Sequence, residues 1–284
     1  MELGRLYQKV LQHLYQCVMR GAATSTVGNY AFFGGGSSSS TYSSTVNAYS
    51  RSLTRSVLTS LSEPKYRLTA TTVGNYALFG GGSSSGSYYS TVDTYNSSLT
   101  RSTATSLSEA RCFLNATTVE NYALFGGGYY GPCSTVDAYN SSLTRSTPTA
   151  LNVARWYLVA TTVGSYALFG GGYYGSNCCS TVDAYNSSLT RSTIIDLSVA
   201  RRGLAATTVG SYALFGGGYD GSSYCSTLDY YRYSENNKTV YLYKGAKYKF
   251  QNMDSEQIYS STMGSISIPT PATGYIKIKN TTIS

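Results

Sequence analysis

The sequence predicts an all-β fold built from one four-stranded unit repeated along the chain. Three observations carry this. The triplet Gly-Gly-Gly recurs at 34–36, 80–82, 126–128, 170–172 and 216–218, at intervals of 46, 46, 44 and 46 residues. Composition favours short strands and tight turns: 30 Tyr, 29 Gly and only 5 Pro, with 12% charged and 42% apolar residues. No apolar run is long enough to span a membrane as a helix, so no transmembrane segment is expected. A period near 46 residues made of short strands points to the blades of a β-propeller.

The elements follow in order. Residues 1–19 place Leu3, Leu6, Tyr7, Val10, Leu11, Leu14 and Val18 at helical spacing, which predicts an amphipathic N-terminal helix. They lack the continuous apolar core of a secretory signal peptide. Residues 20–233 hold five copies of the unit, and the fourth copy reads as four strands. The first, 158–163, is rich in Ala and Thr, as suits strands converging on an axis. The second, 166–169, is apolar on both faces, as a strand between neighbouring blades must be. The third, 181–185, alternates, and the fourth, 189–195, is β-branched. The fifth copy loses its fourth strand after Tyr231. Residues 234–284 change rhythm, with strands expected at 240–243, 248–250, 265–268 and 275–279. They form either a small β-module or a sixth, divergent closing blade.

The unit resembles the kelch repeat. The match rests on the arginine opening the first strand (Arg111, Arg155, Arg201), the apolar run closed by glycines, and the later tyrosine (Tyr95, Tyr139, Tyr185). It covers residues 20 to about 231, five times over. One departure stands out: where the family carries a fourth-strand tryptophan, this chain has Leu53, Leu99, Leu143 and Leu189. The resemblance implies a kelch-like β-propeller of about five four-stranded blades. The same fold hosts a copper oxidase, which needs several imidazole ligands, and this chain has one histidine, His13.

That single histidine also excludes Ser-His-Asp and Cys-His nucleophile systems. No Gly-Lys-Ser/Thr follows the glycine triplets, so they are structural turns rather than phosphate loops. Asp93, Asp137, Asp183 and Asp229 sit at equivalent positions and are expected to pair with the repeated arginines. Six cysteines fit no metal motif and are expected to be free thiols. No cofactor is expected. The net charge of +8 is dispersed, without a basic run interleaved with aromatics, which disfavours nucleic acid as a partner.

Comparison between copies separates constant from variable segments. Thr-Thr-Val-Gly-x-Tyr and Asn-Ser-Ser-Leu-Thr-Arg-Ser are nearly invariant. The loop after the glycines and the residues approaching strand one vary. Because antiparallel strands alternate direction, both variable segments fall on one face. That face offers Tyr66, Arg67, Phe113, Tyr129, Tyr130, Trp156, Tyr157, Tyr173, Tyr174, Arg202 and Tyr219 as ligand-binding residues. Lys65, Arg111, Arg155 and Arg201 are expected to join Arg67 and Arg202 around a central opening.

The function this implies is a non-enzymatic binding scaffold for a protein or glycan ligand, an acidic one in particular. An extracellular or virion-surface setting, such as an adhesin, suits the composition. Two other readings stand beside it. One is a structural repeat of a surface or phage-like assembly. The other is a lyase or hydrolase using Tyr and Arg in a central channel.

Overall fold

In a computed structural model of the chain, residues 20–38 and 41–233 are described in full. Beyond them only the backbone of five strands is described: Val240–Tyr241, Lys247–Gln251, Glu256–Ser260, Ser265–Ile266 and Lys277–Asn280. The helix expected over 1–19, and His13 with it, lies outside the described residues. The chain divides into two compact units, Met1–Arg232 and Tyr233–Ser284.

The first unit is all-β, with no helix among the described residues. Four sheets contain four antiparallel strands in sequential order and a fifth contains three. The second sheet shows the pattern: Thr69–Val73, Tyr76–Gly80, Val92–Asn96 and Arg101–Ala104. In the fifth sheet Ala205–Val209, Tyr212–Gly216 and Leu228–Arg232 have no fourth strand among the described residues. The expected fourth strand, 189–195, is shorter than its β-branched run suggested and covers only Arg191–Thr193.

The first strands of successive sheets lie side by side and are stitched by hydroxyls rather than by backbone pairing. Ser25–Thr72, Thr71–Thr118, Thr117–Thr162 and Thr161–Thr208 are 2.7–2.8 Å apart. The Thr72 hydroxyl also donates to the Thr26 carbonyl at 2.7 Å. Threonine suits both demands on this strand, a small side chain and a donor for its neighbour.

Each sheet packs on the next through one repeated contact. The second-strand phenylalanine lies against the glycine ending the second strand of the preceding sheet. A Cβ on Gly80, Gly126 or Gly170 would stand 2.7 Å from the ring of Phe125, Phe169 or Phe215. The layer is filled by residues such as Val119, Leu124, Val136 and Ala138 from one sheet, and Leu158, Ala167, Phe169 and Tyr185 from the next. The buried Tyr95, Tyr139 and Tyr185 hydroxyls donate to the carbonyls of Thr59, Thr105 and Thr149, each at 2.7 Å. Each thereby ties a third strand to the segment preceding its own sheet.

Two expectations are corrected here. Leu53, Leu99, Leu143 and Leu189 are not in fourth strands. They occupy the turn before them, with φ between 58° and 63°. The Asn96 side chain accepts from the Ser98 and Thr100 amides and closes a three-residue loop. Such loops require one left-handed residue. Leu99, Leu143 and Leu189 pack on the core from that position.

Lys65, Arg111, Arg155 and Arg201 do not ring an opening; all four are fully buried. Arg111 meets Asp137 at 2.7 Å, Arg155 meets Asp183 at 2.8 Å and Arg201 meets Asp229 at 2.6 Å. Lys65 stands 3.2 Å from Asp93. The fourth-strand residues Arg101, Arg145 and Arg191 bring a second cation to Asp93, Asp137 and Asp183. A carboxylate taken out of water needs such partners. Burial acts to raise the Asp93 carboxyl, but Lys65, Ser62 and Arg101 together hold it below its ordinary value.

In the second unit the strands Lys247–Gln251, Glu256–Ser260 and Lys277–Asn280 form one antiparallel sheet, and Val240–Tyr241 pairs with Ser265–Ile266. The strand Glu256–Ser260 falls between two expected strands and was missed by pattern. The order of these strands is not the sequential one of the repeated sheets.

Candidate binding face

The variable segments meet at one end of the sheets. The residue approaching strand one bridges to the loop after the glycines in every copy: Arg20 to Ser37, Tyr66 to Ser83, Cys112 to Tyr129, Trp156 to Tyr173 and Arg202 to Tyr219. The constant turns lie at the other end, where Gly74 approaches Ser141 of the next sheet.

Glycines build this end. Gly81 (φ 69°) and its copies Gly127 and Gly171 turn the chain under the buried cation. A Cβ there would stand 2.6–2.7 Å from the carbonyl of Arg111, Arg155 or Arg201. The loops after them fold back as short hairpins, such as Tyr173–Tyr174 with Asn177–Cys178.

Beside these loops runs a backbone ladder. The amides of Arg67, Phe113, Tyr157 and Gly203 donate to the carbonyls of Gly21, Arg67, Phe113 and Tyr157, at 2.8–3.2 Å. All five positions are left-handed. Two are glycines, Gly21 (φ 68°) and Gly203 (φ 62°), and three are Arg67 (φ 57°), Phe113 (φ 54°) and Tyr157 (φ 54°). A left-handed backbone costs a non-glycine residue about 1–2 kcal/mol, so these side chains are held in place against a local penalty.

The ladder sets their side chains in a row. The Arg67 guanidinium lies between the Tyr66 ring (4.3 Å) and the Phe113 ring (4.1 Å). Phe113 meets Tyr157 at 4.1 Å with the rings tilted by 54°, and meets Trp156 at 5.4 Å. Trp156 also contacts Tyr129 at 4.9 Å and Tyr173 at 5.4 Å. Arg202 sits 4.8 Å from the Tyr173 ring and 5.3 Å from Tyr219. Tyr130 and Tyr174 project outward, 73% and 51% exposed. The row is half-buried and spans the second to the fifth sheets. Burial pushes the Tyr157 phenol up, against the pull of Arg67 and Arg202.

Pattern reading missed three aromatics on the same loops: Tyr42, Tyr88 and Tyr224. Tyr42 contacts Tyr66 at 5.1 Å, Tyr88 contacts Tyr130 at 5.0 Å, and Tyr224 contacts Tyr219 at 5.4 Å. Their common offset, eight residues beyond the first glycine of each triplet, was the available signal. Cys178 shares that offset, and its thiol lies 3.3 Å from the Tyr219 carbonyl. Burial raises the thiols of Cys112, Cys133, Cys178 and Cys179 and keeps them protonated.

A second concavity runs along the first strands. Hydroxyl and apolar side chains line it, among them Thr24, Ser25, Thr26, Phe33, Thr72 and Thr118, with no charged residue. It offers shape and hydroxyls but no acid or base.

Among known proteins, no family model and no curated protein matches the chain. No helix among the described residues is long and apolar enough to cross a membrane.

Proposed function

We propose that residues 20–233 form a kelch-type propeller acting as a non-enzymatic binding scaffold, and that the aromatic row recognises a protein or glycan partner. One observation carries this reading: Arg67, Phe113 and Tyr157 occupy left-handed positions that glycine fills in the first and fifth copies. A structural need at that position is met by glycine, so the large side chains serve something outside the fold. Rigid aromatics supply contact area at low entropic cost. Arg67 and Arg202 add planar donors for carboxylate or sulfate groups.

The enzyme reading gains nothing comparable. The buried cations are taken up by Asp93, Asp137, Asp183 and Asp229, and the concavity over the first strands has no titratable lining.

The test is a glycan-array and pull-down screen with the full chain, followed by a Trp156→Ala/Tyr157→Ala double variant. Loss of at least about 2 kcal/mol of affinity, roughly thirtyfold, is expected if these rings form a hot spot. Wild-type affinity of the double variant for every partner found would end the proposal.

A further inference from the structure

The middle of the aromatic row gathers hydrogen-bond donors without a carboxylate to take them up. Along it the order is Arg67, Phe113, Tyr157 and Arg202, with successive separations of 4.1, 4.1 and 5.9 Å between guanidinium carbons and ring centroids. Tyr157 therefore stands between two cations. Among the described residues neither guanidinium has an ion pair, and the Tyr157 hydroxyl has no hydrogen bond. The Arg202 side chain meets the Cys178 thiol, a weak acceptor, while its buried Nε has no partner. Asp220, next to Tyr219, is taken up by its own loop, where it accepts the amides of Ser222 and Ser223 at 2.7 Å.

The repeats treat their other strand-one cations differently. Lys65, Arg111, Arg155 and Arg201 each meet an aspartate within the same sheet. Arg67 instead holds a left-handed backbone at φ 57° and lays its guanidinium between two rings.

The main chain of this face is already used. The amides of Arg67, Phe113, Tyr157 and Gly203 are spent on the ladder. Those of Tyr66, Cys112, Trp156 and Arg202 donate to the carbonyls of Ser83, Tyr129, Tyr173 and Tyr219. A peptide recognised by strand addition needs such groups free. What remains are ring faces and guanidinium planes. Ring faces carry negative charge density that attracts polarised C–H groups, and a guanidinium fork matches an oxyanion. An acidic sugar presents both, a C–H face and a carboxylate or sulfate.

We propose that Arg67, Tyr157 and Arg202 form the oxyanion site for an acidic oligosaccharide, whose sugar rings lie on Phe113 and Trp156. This rests on the aromatic row being the binding face and names the class of ligand it takes. The two guanidiniums grip sulfate or carboxylate oxygens, and the Tyr157 hydroxyl donates between them.

A fluorescently labelled chondroitin sulfate hexasaccharide tests it, titrated into the full chain and read by anisotropy. Saturable binding is expected. The desulfated hexasaccharide, and the same chain with its carboxyls also reduced, separate the two anionic groups; the fully neutral form should bind at least about tenfold more weakly. Arg67→Gln and Arg202→Gln should each cost about tenfold, the loss of one charge-assisted hydrogen bond. Arg51→Gln, an equal change of charge at an exposed constant turn, should cost nothing. The comparison of ligands leaves the protein untouched, so a folding defect cannot imitate it. No binding, equal binding of the neutral form, or an equal loss in Arg51→Gln overturns the proposal. So does tighter binding of a labelled hexaglutamate peptide, which would give the site to an acidic polypeptide. A screened partner that loses affinity in Trp156→Ala/Tyr157→Ala but not in Arg67→Gln or Arg202→Gln would leave the binding face standing and overturn this assignment of its ligand.

Discussion

The Phe113 and Tyr157 ring centroids lie 4.1 Å apart, on two residues that each hold φ at 54°. Their contact is a product of the backbone ladder, in which the Tyr157 amide donates to the Phe113 carbonyl at 3.2 Å. The stability of the pair therefore contains two opposed terms. Ring contact is favourable by about 0.5–1.5 kcal/mol, and each left-handed backbone costs about as much.

Phe113→Gly should consequently be nearly neutral for folding, within about 1 kcal/mol of wild type, because relief of the backbone offsets the lost ring. Urea unfolding checks this. A loss above about 3 kcal/mol, the range of a core phenylalanine, would mean that the ring is structural and that the face is not built for a ligand.

The phenylalanine-on-glycine contact makes a sharper prediction. In Gly126→Ala the new methyl would stand 2.7, 3.0 and 3.1 Å from three atoms of the Phe169 ring. Phe169 is fully buried and has nowhere to move. Overpacking of this kind costs about 1–3 kcal/mol. Gly216→Ala is the matched control. It is the same position in the fifth sheet, where among the described residues no phenylalanine packs on it and a Cβ meets Leu228 alone, at 3.3 Å. That substitution should cost well under 1 kcal/mol, or stabilise slightly, since glycine weakens a strand interior. Equal losses at the two sites in urea midpoints would show that the ring contact is not what demands glycine.

Acid should unfold the first unit through its aspartates. Asp93 and Asp229 are both held below the ordinary carboxylate value; burial opposes this in each, and is outweighed at Asp93 by Lys65, Ser62 and Arg101 and at Asp229 by Ser198 and Arg201. A depressed carboxyl contributes its stability in full above the unfolded value and loses it as pH falls through the folded value. Thermal midpoints should thus be flat from neutral pH down to about 5 and drop steeply below 4. In Asp93→Asn the drop should be shallower, from a lower starting midpoint. An unchanged acid slope in that variant would remove Asp93 from the transition.

Much of the fold was legible because the repeat reports the same decision five times. The glycine triplets, the Thr-rich first strand and the Tyr-Ala-Leu-Phe second strand each answer a local steric demand. Spacing alone located the sheets. The fourth strand was read poorly because its leucine looks like a buried strand residue. Its left-handed angle is set by Asn96, Asn140 and Asn186 accepting two amides, which apolar periodicity does not register. The buried cations were misplaced for a similar reason. Their pairing with the repeated aspartates was read correctly, but their position beside variable aromatics suggested the surface, whereas the paired carboxylate, two strands away in the same sheet, draws them inside. The aromatic row was legible as composition but not as geometry. Nothing in the letters says that residues 67, 113 and 157 are joined amide to carbonyl.

Among the described residues Lys65 is the one buried cation of its kind that is not arginine, and its contacts show what is missing. Arg111 Nη2 donates to Asp137 Oδ2 at 2.7 Å and to the Phe125 carbonyl at 3.2 Å, while Nη1 reaches the Glu109 carbonyl at 3.3 Å. Arg155 repeats all three contacts with Asp183, Phe169 and Val153. Lys65 Nζ donates to Thr91 Oγ1 at 3.0 Å and stands 3.2 Å from Asp93 Oδ2 as an ion pair, without the geometry of a hydrogen bond. Burial drives its ammonium below the usual lysine value, only partly countered by Asp93. Lys65→Arg should regain the single Nη2–Oδ2 bond to the aspartate, here Asp93, and a bond to the Phe79 carbonyl, the counterpart of Phe125. Against this, the buried Nε of Arg111, Arg155 and Arg201 has no partner, a cost the new arginine would share. The balance is a gain of about 1 kcal/mol, from one oriented charge-assisted bond less that penalty. The urea midpoint should rise with no change in slope. A lower midpoint would show that the second sheet is shaped around lysine, with Glu63, 3.8 Å from Nζ, as its intended partner.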